Sequence, residues 1–259
     1  MNKFNCFLSF VLLLSSCGGG EQNTIEKASE SKALDTSIND SARYVEPSKE
    51  LLMGRFVPSE TNGFSKVPDE MCSKPMYVQT EVLSVFVKMR EAAAKDGINL
   101  YIVSGTRTFN DQKAIWERKW NSLISTNKDS MAVANEILKF SSMPGTSRHH
   151  WGTDIDLVSV DPTYFDSGQG KKIYEWLISH AREYGFCQVY SNKEDTGRTG
   201  YSMEKWHWSF MPIANSYLSA YRQLINFSDI KGFSGDKLVS KLDVIEKYVA
   251  GLDSACLNR

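Results

Sequence analysis

The chain has almost no net charge, few histidines, no paired-cysteine motif and no internal repeat. Its formal net charge at pH 7 is -1, so electrostatics suggests neither a nucleic-acid partner nor a polybasic membrane patch. None of the five cysteines forms a C-x-x-C pair, which argues against a thiolate zinc site. The apolar run from Phe4 to Leu14 is broken by Asn5 and Ser9 and falls short of the roughly 20 residues needed to span a bilayer. What is present fits a globular protein: 41% hydrophobic residues, six tryptophans and 259 residues, enough for one large or two small domains.

The N-terminus reads as a targeting segment. Lys3 supplies a positive start, the apolar run follows, and Leu14-Ser15-Ser16-Cys17 resembles a bacterial lipoprotein signal box. The expectation is cleavage before Cys17 and a lipid on that cysteine. An ordinary secretory signal or a signal anchor is the alternative. Both readings export the mature chain, and the first makes it a lipid-anchored protein of the cell envelope. The expected division is a signal peptide over residues 1–16, a flexible linker over 17–50 and a folded domain over 51–259 with a C-terminal helical extension. The linker is rich in Gly, Ser, Glu, Asp and Lys and poor in large apolar residues. Cys72, Cys187 and Cys256 remain in a compartment that permits disulfides. They allow three single bridges, of which Cys187–Cys256 is favoured because it staples the C-terminus to the core.

Thr80 is a candidate N-cap, and Val82, Val85, Phe86, Met89 and Ala93 recur at helical spacing up to Gly97. Asn99–Ser104 reads as a strand. Phe109–Trp120 reads as a helix with Asn110 or Asp111 near its start. Asn121–Ser142 is a partly helical insert of no evident role. A strand over Asp154–Val158, a helix over Lys171–Tyr184 stopped by Gly185, and strands over Phe186–Tyr190 and Tyr201–Phe210 follow. Two helices are expected at Asn215–Asn226 and Leu238–Leu252. Helices mixed with separated strands, without regular alternation, predict an α+β fold with a small, mainly antiparallel sheet.

Three of the four histidines lie in two short stretches, Ser147-Arg148-His149-His150-Trp151-Gly152-Thr153-Asp154-Ile155-Asp156 and Glu204-Lys205-Trp206-His207. Two imidazoles and a carboxylate, His149, His207 and Asp156, suit a zinc ion with an open fourth position. His150 and Asp154 compete for these roles. Neighbouring side chains such as His149 and His150 point apart, whereas Asp154 and Asp156 share a face of a strand. Asp154 is thus either the ligand or an acceptor for an imidazole N–H. Glu204 stands three residues before His207, placed to take a proton from water. On a regular strand the two would face opposite ways, so a bulge or twist is expected between them. Trp206 is either a wall of the site or a plain core aromatic.

These stretches match the patterns Ser-x-His-x-x-Gly-x-Ala-x-Asp and Glu-x-Trp-His, with Asp154 in place of the Ala. They resemble the VanY-type D-alanyl-D-alanine carboxypeptidases, zinc peptidases of the wider group that includes lysostaphin-type endopeptidases and the hedgehog domain. The resemblance covers about Phe56 to Phe210. It implies the hedgehog/D-Ala-D-Ala-peptidase-like fold, Zn2+ on His149, Asp156 and His207, and Glu204 as general base. Ser104-Gly105-Thr106-Arg107 is similar to the family's Ser-Gly-Tyr-Arg stretch. It implies that Arg107 polarises the scissile carbonyl, that Gln112 lies beside the substrate and that Ser147 holds its terminal carboxylate. The implied partners are peptidoglycan stem peptides; the chain itself is expected to be a monomer. The implied reaction is release of terminal D-Ala. An L,D-carboxypeptidase or an endopeptidase on the same scaffold is the nearest alternative, and a non-catalytic zinc module that binds cell wall is a second.

Overall fold

The computed structural model describes residues 45–257. The signal peptide, Cys17 and most of the expected linker lie outside the described residues. The first helix, α1 (Lys49–Leu52), begins inside the stretch expected as linker, and Leu51 and Leu52 are buried. A hydrogen bond from the Tyr217 hydroxyl to the Val45 carbonyl ties the approach to α1 onto the body of the domain.

Two antiparallel sheets carry the fold. β1 (Phe64–Lys66) pairs with β2 (Tyr77–Gln79). The second sheet runs in the order β3-β4-β6-β5, from β3 (Ile102–Ser104), β4 (Asp154–Leu157), β6 (His207–Phe210) and β5 (Phe186–Cys187), and all its pairings are antiparallel. The architecture is therefore α+β with small antiparallel sheets, as expected.

Helices close the apolar side. α2 (Thr80–Lys95) buries Val82, Phe86, Met89 and Ala93. Thr80 is its first helical residue and not its cap. Gln79 occupies the cap position, and the Thr80 hydroxyl pairs with Ser65 Oγ at 2.8 Å. α3 (Phe109–Ile124) is longer than expected and starts on Thr108. That residue forms a reciprocal capping box with Asp111. The insert is helical in two pieces, the end of α3 and α4 (Ser130–Ile137). α5 (Gly168–His180) buries Ile173, Trp176 and Leu177. A 3-10 turn continues it to Gly185, whose φ of 76° ends the helical path. α6 (Lys193–Thr196) is a single turn. α7 (Met211–Leu224) buries Tyr217, Leu218 and Tyr221.

Three expected elements are cut short for visible reasons. β5 ends at Cys187, and β6 begins only at His207. The chain between them is gathered by the Arg198 guanidinium, which donates to the carbonyls of Ser191, Thr199 and Tyr201. The Leu238–Leu252 helix is replaced by a 3-10 turn at Asp236–Leu238 and a π-helical turn at Ile245–Val249. Asp243, at φ 50°, takes a left-handed conformation that no regular helix contains. The Cys187–Cys256 disulfide forms and Cys72 is free, so the C-terminal segment is fastened to β5.

Candidate metal centre and active site

Alternation along the two central strands sorts the chemistry from the core. Asp154 pairs with Ser209, Ile155 with Trp208 and Asp156 with His207. Side chains at alternate positions share a face. Asp154, Asp156, His207 and Ser209 therefore lie on one side of the sheet. Ile155 and Trp208 lie on the other, in the hydrophobic core. His149 comes from the 3-10 turn Arg148–Trp151, which Gly152 ends at φ 70°. Gln79 holds that turn against β2, donating from its backbone N–H to the Gly152 carbonyl at 3.0 Å and from Nε2 to the Trp151 carbonyl at 2.7 Å.

The three sequence-predicted ligands converge. His149 Nε2 lies 3.2 Å from Asp156 Oδ1 and 3.2 Å from His207 Nδ1, and His207 Nδ1 lies 3.1 Å from Asp156 Oδ1. A zinc ion with bonds of about 2.0 Å asks for donor separations of about 3.3 Å, so this triangle is one face of a tetrahedron of the right size. The donor set, two nitrogens and a carboxylate oxygen, is also one that zinc takes. The remaining ring nitrogens are committed elsewhere. His149 Nδ1 donates to the Gly105 carbonyl at 2.9 Å, and His207 Nε2 donates to Asp154 Oδ1 at 2.9 Å. Each hydrogen bond fixes which nitrogen faces the triangle.

The two competitors are placed outside it. His150 donates from Nδ1 to the Arg107 carbonyl at 2.6 Å and accepts at Nε2 from the Gly145 N–H at 3.1 Å. Both nitrogens serve the backbone, and burial lowers its pKa to about 3. It is a neutral brace between the Arg107 loop and the start of the motif. Asp154 stands behind His207 and meets Arg148 Nε at 3.0 Å.

Glu204 sits before β6, not on it. A turn closed by the His207 N–H on the Glu204 carbonyl at 3.4 Å replaces the expected bulge and brings both side chains to the same place. Glu204 Oε2 is 3.8 Å from His207 Nδ1, adjacent to the triangle and not part of it. Burial raises the Glu204 carboxyl to about 8, against the pull of His207 and Arg107. A buried carboxyl shifted this far is the pattern of a proton-transfer group.

His149, His207 and Glu204 line one narrow cleft together with Arg107, Ser147, Tyr190 and Tyr201, with Asp156 buried behind the two imidazoles. Arg107 Nε and Ser147 Oγ are buried without a hydrogen-bond partner, a state that polar atoms in folded proteins seldom keep unless something else completes them. Gln112 is not in the cleft. It is buried on α3 and donates from Nε2 to the Ser142 carbonyl at 2.7 Å, which places the Ser141–Ser142 rim. Trp206 is buried and packs against Phe140 at a tilt of 38°, with ring centroids 6.1 Å apart; it is not among the groups lining the cleft, so it acts as a core aromatic. The sequence reading missed Arg148, Tyr190 and Tyr201. Tyr190 packs on the His207 ring at 4.6 Å. The sequence signal that pointed to Arg148 was its place inside the motif itself, between Ser147 and His149.

The family model for the VanY D-alanyl-D-alanine carboxypeptidases matches residues 75–213. The chain belongs to that family. It is 29% identical over 123 residues to a D-alanyl-D-alanine carboxypeptidase of Enterococcus faecalis, covering 48% of this chain and 44% of that protein. It is 30% identical over 172 residues to the Bacillus subtilis protein YodJ, covering 62% of this chain and 56% of that one. The chain thus spans about half the length of these curated relatives. Among solved structures it is similar to VanYB in complex with D-alanine-D-alanine, with 22% identity, a TM-score of 0.47 and coverage of 71% of this chain and 92% of that one. The LdcB LD-carboxypeptidase is another, with 22% identity, a TM-score of 0.46 and coverage of 74% and 79%.

Proposed function

We propose that this chain is an exported, zinc-dependent D-alanyl-D-alanine carboxypeptidase that removes the terminal D-Ala from peptidoglycan stem peptides. The observation that carries the reading is the placement of Glu204 beside the donor triangle, its Oε2 3.8 Å from His207 Nδ1, with His149, His207 and Glu204 lining a cleft that also holds Arg107 and Ser147. Family membership over residues 75–213 supports it.

His149, Asp156 and His207 would hold the ion, which when bound would polarise a carbonyl and acidify a water molecule. Glu204 takes the proton from the attacking water and returns it to the departing amine nitrogen. Its carboxylate form is favoured beside a cation, which offsets the burial that otherwise keeps it protonated. Arg107 offers its guanidinium to the charge that grows on the carbonyl oxygen. The Ser147 hydroxyl accepts the role of holding the free carboxylate of the terminal residue. His150 keeps the Arg107 loop in register with this arrangement through the Arg107 carbonyl.

The same reading places the protein in the cell envelope, held by a lipid on Cys17, as a monomer whose substrate lies in the adjacent wall. The decisive experiment is incubation of purified protein with defined stem peptides ending in D-Ala-D-Ala or in L-Lys-D-Ala, with and without chelator. Release of D-Ala from the first alone, abolished by chelator and restored by zinc, is expected. Release from the second alone would make it an L,D-carboxypeptidase, and cleavage of neither would leave a binding module.

A further inference from the structure

Asp154 stands where the family pattern carries alanine, and it does not stand alone. Asp154 and Arg148 form an ion pair whose side chains are both 0% exposed. Desolvating two ions commonly cancels what their attraction returns, so such a pair is a poor source of stability. Its location suggests another use. Arg148 reaches across one rung of the central sheet: Nε donates to Asp154 Oδ1 at 3.0 Å and Nη2 to Ser209 Oγ at 2.5 Å, and Asp154 and Ser209 are direct cross-strand partners. The guanidinium also lies over the Trp151 ring, 4.5 Å from its centroid, which restrains its plane. Asp154 Oδ2 accepts from Thr153 Oγ1 at 2.6 Å. The carboxylate is therefore held on both oxygens, and Oδ1 is presented to His207 Nε2 at 2.9 Å.

We propose that Asp154, oriented by Arg148, is a positioning residue for the metal: it holds His207 as the Nε2–H tautomer and so aims the Nδ1 lone pair into the triangle with His149 and Asp156. The inference rests on the metal reading of the site. Nδ1 and Nε2 lie on opposite edges of the imidazole, so the carboxylate that meets Nε2 stays behind the ring. This resolves the competition between the two aspartates of β4: Asp156 faces the ion and Asp154 faces the ligand. A carboxylate in that place also makes the imidazole a better donor, while Arg148 balances its charge. With alanine at 154, both the His207 Nε2–H and the Arg148 Nε–H would lose their acceptor. Arg148 and Asp154 are thus one unit, and a departure from the family pattern at one position requires the residue at the other.

The test is zinc affinity of the full chain, measured by competition with a chromophoric chelator, for the wild type and for the double variant Arg148→Met/Asp154→Ala. The double variant removes both charges together and leaves no lone buried ion. The expected result is binding weakened about 10- to 100-fold, with a changed visible spectrum in the cobalt-substituted form. A folded double variant with wild-type zinc affinity and an unchanged cobalt spectrum overturns the proposal, because the pair would then be structural only. Should the double variant fail to fold, long-range proton–nitrogen NMR of the zinc-loaded wild type decides. Nε2–H on His207 with Nδ1 bound to metal supports the proposal, and the opposite tautomer overturns it. A wild-type chain that takes up no zinc overturns the metal reading and the proposal with it, an outcome distinct from failure of the proposal alone.

Discussion

Metal uptake should expel a proton from His207, and the exchange can be measured. Burial alone would lower the pKa of this histidine, but its hydrogen bonds to Asp154 and Asp156 outweigh burial and hold it at about 9. Burial and the nearby Arg107 charge shift His149 the other way, toward the neutral form. The metal-free triangle therefore carries one proton, on His207 Nδ1, which lies 3.2 Å from His149 Nε2 and 3.1 Å from Asp156 Oδ1. A cation must displace it, so below the His207 pKa each pH unit changes the association constant about tenfold, or about 1.4 kcal/mol. From about pH 6 to about pH 8 the zinc association constant should rise roughly 100-fold. The rise is steeper if Glu204, lifted by burial to about 8, ionises as well. Titration calorimetry near pH 7 in buffers of different ionisation enthalpy counts the protons directly, and at least about one per ion is expected. An affinity flat across that range, with no proton released, would refute the reasoning. The chelated protein supplies a second reading of the same shifts. His207 and Glu204 both bind protons more tightly in the fold than in the unfolded chain. The His207 contribution is complete below 6.5 and lost as pH passes about 9, and that of Glu204 is complete below 4.5 and lost past about 8. Below 6.5 the buried neutral His149 and His150 gain stability with pH and oppose the Glu204 loss, so the Tm of chelated protein should fall as pH rises from about 6.5 to about 9, and excess zinc should reverse the trend.

Glu204→Gln should retain zinc stoichiometry while the rate of D-Ala release drops by about 10²- to 10⁴-fold; turnover within tenfold of wild type would remove Glu204 from the proton-transfer role. Cys187→Ser/Cys256→Ser opens a loop of sequence separation 69 and should cost about 4 kcal/mol by the chain-entropy argument, read as a lower urea midpoint, whereas an unchanged midpoint would contradict it. At Gly152 the φ of 70° and a Cβ that would stand 2.4 Å from Phe64 Cε1 leave no room for a side chain. Gly152→Ala should cost about 1–2 kcal/mol in backbone strain alone and weaken zinc binding by shifting His149, so wild-type zinc affinity in that variant would show that the turn does not set the ligand.

Much of the site was legible in the chain because its chemistry is local. His149 and Asp156 lie on either side of a glycine turn, and Glu204 and His207 share one tight segment, so motif spacing already brought the right residue types near each other. Helices were equally readable where an apolar face repeats, as at Val82, Phe86, Met89 and Ala93 on α2. Their ends were less so: the cap of α3 is Thr108, and the Leu238–Leu252 helix is broken at Asp243 by a backbone conformation that residue type alone does not announce. Strand lengths failed where a side chain claimed the backbone of its own segment, as Arg198 does between β5 and β6.

The sequence by itself determined which residue types could bind a cation and move a proton, because donor chemistry belongs to the side chain wherever it is placed. The choice between neighbours belonged to the tertiary structure. His149 rather than His150, Asp156 rather than Asp154, and a bracing rather than substrate-facing place for Gln112 all follow from hydrogen bonds to partners distant in the chain: the Gly105, Arg107 and Ser142 carbonyls and the His207 ring. An imidazole or carboxylate is committed by whatever meets its polar atoms, and in this protein the deciding partners of His149, His150 and Asp154 lie in segments that only folding brings near.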